Sequence, residues 1–213
     1  MARILTTLFF LLFFLSVNGQ ERNFLLWNLN NVEVQLTDKT SVGATEKMHF
    51  APKTRNINLK FGDISVDHKL SKWFELGVVG RLLWFRRDYG WLLEKRTMIV
   101  GDISTTYKQF EFDFSNRFEY RMYKNVANHF RHRQKFSVEV PPFAFSWFRI
   151  YIGEEGFYRF DGEKLHLARL HAGTNIIFHR QFEMKVYYVY QKSKKLSQWH
   201  TSDVLGINLA VDF

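Results

Sequence analysis

The most regular stretch of the chain is residues 110–123, where Phe110, Phe112, Phe114, Phe118, Tyr120 and Met122 alternate with Glu111, Asp113, Ser115, Arg117, Glu119 and Arg121. A period of two predicts a β-strand, because a pleated backbone sends successive side chains to opposite faces. A helix would scatter those charges around its circumference. The same alternation, less pure, recurs at residues 73–85, 129–140, 147–155, 182–191 and 204–213, and weaker strands fit 25–36, 40–50, 57–68, 97–107 and 165–178. Most are long enough for a tilted membrane strand, which needs about 9 to 11 residues.

Alternation alone does not say whether the apolar face meets lipid or a soluble core, since a lipocalin-like barrel has the same period. Four further features favour lipid. Short turns near Lys39, 70–72, Lys108, 141–143 and Arg180 alternate with longer polar loops near 52–55, 86–95, 124–128, 155–164 and 192–203, the asymmetry of outer-membrane barrels. Trp73, Trp84, Trp91, Tyr107, Tyr123 and Trp147 sit at strand ends, where interfacial aromatic girdles belong. The polar face holds Arg and Glu in near balance, as a narrow lumen would. The last strand ends on Phe213, like the assembly signal of such barrels. The expected fold is therefore all-β, an antiparallel up-and-down transmembrane β-barrel. These eleven strands have the wrong parity, since single-chain bacterial barrels have an even number; twelve strands are expected, with ten as the second choice.

At the start of the chain, Arg3 precedes an apolar run from Ile4 to Val17, with Val17 and Gly19 before a cut site. A basic start and an apolar stretch of roughly 7 to 15 residues make a secretory signal, expected to span residues 1–19. Residues 20–213 then form a single barrel domain. The chain has no cysteine, so an exported protein is stable here without disulfides or metal thiolates. Its 23 Phe against 3 Pro suit long uninterrupted strands. The net charge of +9 points to acidic partners, lipid phosphates for an exported chain rather than nucleic acid.

The early Trp27 with its polar strand and the lysine turn at Lys39, then "KLSKWFELGVVGR", "FDFSNRFEYR", "RIYIGEEGFYRF", "ARLHAGTN" and the aromatic last strand resemble the uncharacterised outer-membrane β-barrel family catalogued as domain of unknown function 2490. The resemblance covers nearly all of residues 20–213. It implies a barrel and no activity.

Arg117, Glu119, Arg121, Arg131, Arg133, Arg149, Glu155, Arg169 and Glu183 fall on the inferred inner face of neighbouring strands. Buried charges have to be paired, so these nine are expected to form a cross-strand network filling a small barrel; the alternative is a lining that selects ions by charge. No catalytic pair is visible: His132 lies on the lipid-facing side, its outer neighbours Tyr120, Met122, Ile152 and Glu154 include no serine, and Ser115 and Ser137 lie on the other face. His129 with His132, and His166 with His171, should point to opposite faces, which disfavours a metal; no cofactor is expected. Gly77, Gly101, Gly173 and Gly206 are expected to relieve crowding in strands. The basic positions Arg86, Arg87, Lys95, Arg96, Lys192, Lys194 and Lys195 could meet lipopolysaccharide phosphates. The expectation is a monomeric outer-membrane barrel, structural or a narrow porin-like channel with a partly plugged lumen, recognised by the assembly machinery through Phe213; the alternatives are a lipid-modifying enzyme and a soluble periplasmic ligand-binding barrel.

Overall fold

Eleven strands follow one another along the chain in the computed structural model, which describes residues 22–124, 127–142, 145–161, 164–179, 181–195 and 198–213. They are β1 (Asn23–Thr37), β2 (Thr40–Ala51), β3 (Asn56–Lys69), β4 (Phe74–Arg87), β5 (Gly90–Tyr107), β6 (Phe110–Tyr123), β7 (His129–Val140), β8 (Phe148–Arg159), β9 (Leu165–His179), β10 (Phe182–Lys195) and β11 (Gln198–Asp212). Each pairs antiparallel with its sequence neighbours, and β1 closes against β11 to complete a barrel. The expected signal peptide lies outside the described residues.

The closing seam is parallel, from Asn23 opposite Ser202 to Glu33 opposite Asp212. A chain that reverses at every turn an odd number of strands long leaves its first and last strands running the same way, so closure has no other option. The eleven strands read from the alternation are present; the twelfth that parity demanded is not found among the described residues, and the barrel is mixed rather than wholly antiparallel. Hydrogen bonds continue past β11, with Gln35 N–H donating to Phe213 O at 2.8 Å and Phe213 N–H to Glu33 O at 2.9 Å. The seam is therefore zipped to the last residue.

The aromatic and aliphatic face of the strands points outward. Val66, Val78, Ile99 and Phe118 are direct cross-strand partners from β3 to β6, and all four are exposed. The charged face points into the barrel. Exposed aromatics gather at both ends: Trp73, Tyr107, Phe110, Trp147, Phe178 and Phe182 near the end holding Phe213, and Phe24, Tyr89, Trp91, Phe160 and Trp199 near the other.

The expected loop asymmetry is absent. β4 and β5 reach to Arg87 and Gly90, and β10 and β11 to Lys195 and Gln198, while the widest gap between strands, Val140 to Phe148, lies at the end assigned short turns. Residues such as Glu94, Arg96 and Lys192 read as loop because near the rim both faces of the wall are polar, which erases the period-two signal. Phe143 and Arg180, expected in turns, lie outside the described residues.

Two apolar islands sit inside. Trp27, Tyr187, Val189 and Val204 pack together with Leu25 and Tyr151 against them, and Val79, Met98 and Val100 form the second. Tyr187 fits because of the glycines beside it: a Cβ at Gly206 would come within 2.3 Å of its ring, and one at Gly173 within 2.6 Å of Val186 O and 2.7 Å of Tyr187 Cβ. The Gly173 clash is with backbone, which cannot swing away. Gly173→Ala is expected to lower the unfolding free energy by about 1–3 kcal/mol, and by more than Gly206→Ala; urea unfolding of the refolded barrel measures both.

Candidate functional site: the charged lumen

Inward positions of β5 to β9 carry the barrel's densest charge: Glu94 and Arg96 on β5, Arg117, Glu119 and Arg121 on β6, Arg131, Arg133 and Lys135 on β7, Arg149 and Glu155 on β8, and Arg169 on β9. In register, Arg96 faces Arg121, Arg117 faces Arg133 and Glu119 faces Arg131. Like charges directly opposite repel, so counter-charges must be interleaved.

Three carboxylates do this near mid-barrel and above. Glu119, 1% exposed, accepts from Arg131 Nε and Nη2 at 2.9 and 2.6 Å, with Arg96 at 3.2 Å. Glu94, fully buried, accepts from Arg96 Nε at 2.8 Å, from Arg121 at 2.6 and 2.8 Å, and from Tyr123 Oη at 3.0 Å. Glu155 accepts from Arg133 at 2.5 Å and Arg169 at 3.1 Å, and its Oε1 lies 3.4 Å from His171 Nε2. Asp63 and Arg81 add a pair across β3 and β4, with Nε donating at 2.7 Å. Bidentate arginine geometry gives these contacts direction as well as strength.

Aromatic rings fill the spaces between the pairs. The guanidinium groups of Arg131, Arg133 and Arg169 lie 4.9, 5.5 and 4.9 Å from the Phe157 ring centroid. Arg169 also lies 4.7 Å from the Trp27 ring, which stacks on His49 at 4.3 Å and carries Lys47 Nζ at 3.9 Å. Cation–π contacts of this kind stabilise by about 0.5–2 kcal/mol each, most when desolvated. Eight strands make a barrel whose side chains just fill it, and sixteen or more leave a channel. Eleven strands fall between these limits, and Arg169 of β9 reaches the Trp27 ring of β1 from three strands away.

All nine expected inner residues are on the inner wall, but not in one network. Arg149 reaches Glu111 at 2.6 Å and Glu139 at 2.7 Å near the Phe213 end, Glu183 is paired with Lys185 at 3.0 Å at the same end, and Arg117 has no ion-pair partner among the described residues. Glu94, Arg96, Asp63, Arg81, Lys47 and Trp27 also belong to the site and were not picked out. Arg96 had been placed in a basic outer loop; it is instead buried, bonded to Glu94 and Glu119. Arg86, Arg87 and Lys192 are exposed, whereas the side chain of Lys195 is outside what is described. The pair His166 and His171 departs from strict alternation, because a bulge between Phe157 and Tyr158 turns His166 against the buried Phe157 ring, 6.4 Å between centroids.

On the outer wall a polar group joins β6 to β7 beside Phe118. Asn116 Oδ1 accepts from His132 Nε2 at 3.2 Å and Gln134 Nε2 at 3.5 Å, and the His132 ring stacks on Phe118 at 4.5 Å. A family model described as "Protein of unknown function (DUF2490)" matches residues 24–201, from the start of β1 into β11. The chain belongs to that family. The DUF2490 match covers every strand that contributes to the lumen network. No curated protein matches this DUF2490 chain.

Proposed function

We propose that this protein is an outer-membrane β-barrel of a Gram-negative-type bacterium whose role is structural or that of a narrow, charge-lined channel. The observation that carries the proposal is the orientation of the wall, with Ile64, Val78, Ile99, Phe118, Ile152 and Leu170 exposed outside while Glu94, Glu119 and Glu155 are buried inside. A soluble ligand-binding barrel needs the reverse, an apolar interior and a wet exterior. Rim aromatics at both ends support membrane residence further.

Ion pairs between neighbouring strands line the lumen, and Arg169 of β9 reaches the Trp27 ring of β1, which supports a narrow path for any conduction. Phe213, hydrogen-bonded into the seam and exposed as a side chain, is free to be read by the assembly machinery before the barrel closes. In that setting the end bearing Arg86, Arg87 and Lys192 faces outward, towards lipopolysaccharide phosphates. The chain acts as a monomer, export depends on the signal at residues 1–19, and no enzymatic role is proposed.

The test is fractionation of the expressed full chain followed by reconstitution. Recovery in outer membranes, heat-modifiable gel mobility and at most small ohmic steps in planar bilayers are expected. Recovery in the aqueous periplasmic fraction without detergent would remove the proposal.

A further inference from the structure

Counting partners rather than charges exposes a surplus of cations in the middle of the lumen. Asp63 takes Arg81, Glu94 takes Arg96 and Arg121, Glu119 takes Arg96 and Arg131, and Glu155 takes Arg133 and Arg169. Lys47 lies on the Trp27 ring. Among the described residues, Arg117 and Lys135 have no carboxylate within ion-pair distance, and the buried Arg117 Nε has no hydrogen-bond partner.

These two do not stand apart. Arg117 is opposite Arg133 in the β6–β7 register, and one row towards the Phe213 end Ser115 is opposite Lys135. Both rows line a hollow of about 360 Å³ that also takes in Ser137 and Tyr151. Four cationic side chains, Arg117, Arg133, Lys135 and Lys185, and three serines line this one polar space. Arg133 is held by Glu155, Lys185 by Glu183, and Ser104 donates to Asp113, which leaves Arg117 and Lys135, and removing a charge from water without a partner costs several kcal/mol. Glu155, engaged by two arginines, cannot neutralise this group as well.

We propose that the lumen contains a binding site for a small oxyanion, a carboxylate or a phosphate group, held between Arg117 and Lys135 with Ser115 and Ser137 donating hydroxyl hydrogens. A planar guanidinium with an open edge suits oxygen pairs of this kind. Asp102, Asp113 and Glu139 line the same hollow and repel a second anionic group, so the ligand carries its negative charge at one end. The site deepens the narrow-lumen proposal and rests on it only in taking the inner wall as reachable from one end.

The test uses the purified full-length barrel in detergent at low salt, titrated calorimetrically with inorganic phosphate and, separately, with acetate. Saturable binding of at least one is expected, with sodium chloride of equal ionic strength giving none. Arg117→Gln should weaken it tenfold or more, Arg117→Lys, which keeps the charge but not the paired donors, should restore only part of it, and Lys135→Gln should weaken it in a barrel that keeps Arg117 if the first variant does not fold. Binding of phosphate alone identifies a phosphate group, and of acetate a carboxylate. No saturable binding of either, or wild-type binding by folded Arg117→Gln, overturns the site. A barrel that inserts and conducts yet binds neither anion loses this site alone; one that binds but never inserts loses the membrane proposal alone.

Discussion

Glu155→Gln is expected to destabilise the barrel by about 3–5 kcal/mol, the magnitude of removing one partner from a buried ion pair. Only 3% of the Glu155 side chain is exposed, and Arg133, Arg169 and His171 converge on it. Glutamine keeps the shape and one acceptor, so what is lost is the charge that holds three basic groups together. The reference is Glu183→Gln, which breaks the Glu183–Lys185 pair near the rim, where both side chains are about a third exposed and an ion pair stabilises by only about 0–1 kcal/mol. Urea unfolding of the two variants refolded in the same detergent measures the difference. Equal midpoints would mean that water or ions already screen the Glu155 cluster. Removing Arg169 as well, in Glu155→Gln/Arg169→Gln, is expected to recover part of the loss, because the double variant leaves fewer unpaired charges than the single one.

How much of this was legible in the sequence depended on whether the two faces of a strand differ. In β6, aromatics alternate with charges on either side of Ser115 and Asn116 and the strand was readable to the residue, as was the inward placement of Arg117, Glu119 and Arg121. β5 was readable only from Thr97. Towards its start the outward set Leu93, Lys95 and Thr97 is as mixed as the inward set Glu94 and Arg96, so Glu94, the best-buried carboxylate of the site, was assigned to a loop. The same rim chemistry produced the spurious long loop at 192–203. Pairing partners were beyond reach for another reason: Asp63 meets Arg81, and Arg121 meets Glu94, through the register of neighbouring strands, which a single sequence does not contain. The parallel seam was implied by the odd count itself; the even-number rule for bacterial barrels was allowed to override it.

The second large effect is expected on the outer wall. Ile99 is 54% exposed and flanked across the sheet by Val78 and Phe118, in the middle of the apolar face. If that face meets lipid, Ile99→Arg costs about 2–4 kcal/mol at the bilayer midplane, falling to about 0–1 near the interface. Thr105→Arg, on the same side of β5 but two residues from its end at Tyr107, is therefore expected to be nearly silent. In a soluble barrel both substitutions add a charge to a wet surface and stay within about 0.5 kcal/mol of zero. Unfolding from phospholipid vesicles measures both, and a depth-dependent penalty is something only a hydrocarbon environment produces. The polar group Asn116, His132 and Gln134 sharpens the comparison. It sits on the next two strands of the same outer face, Asn116 on β6 and His132 and Gln134 on β7, and its members hydrogen-bond one another, which is how a few polar side chains are tolerated against lipid. An arginine at position 99 has Val78 and Phe118 beside it instead, so its charge has to be met by water drawn into the bilayer or by snorkelling to the surface, and the penalty measures the depth at which β5 lies.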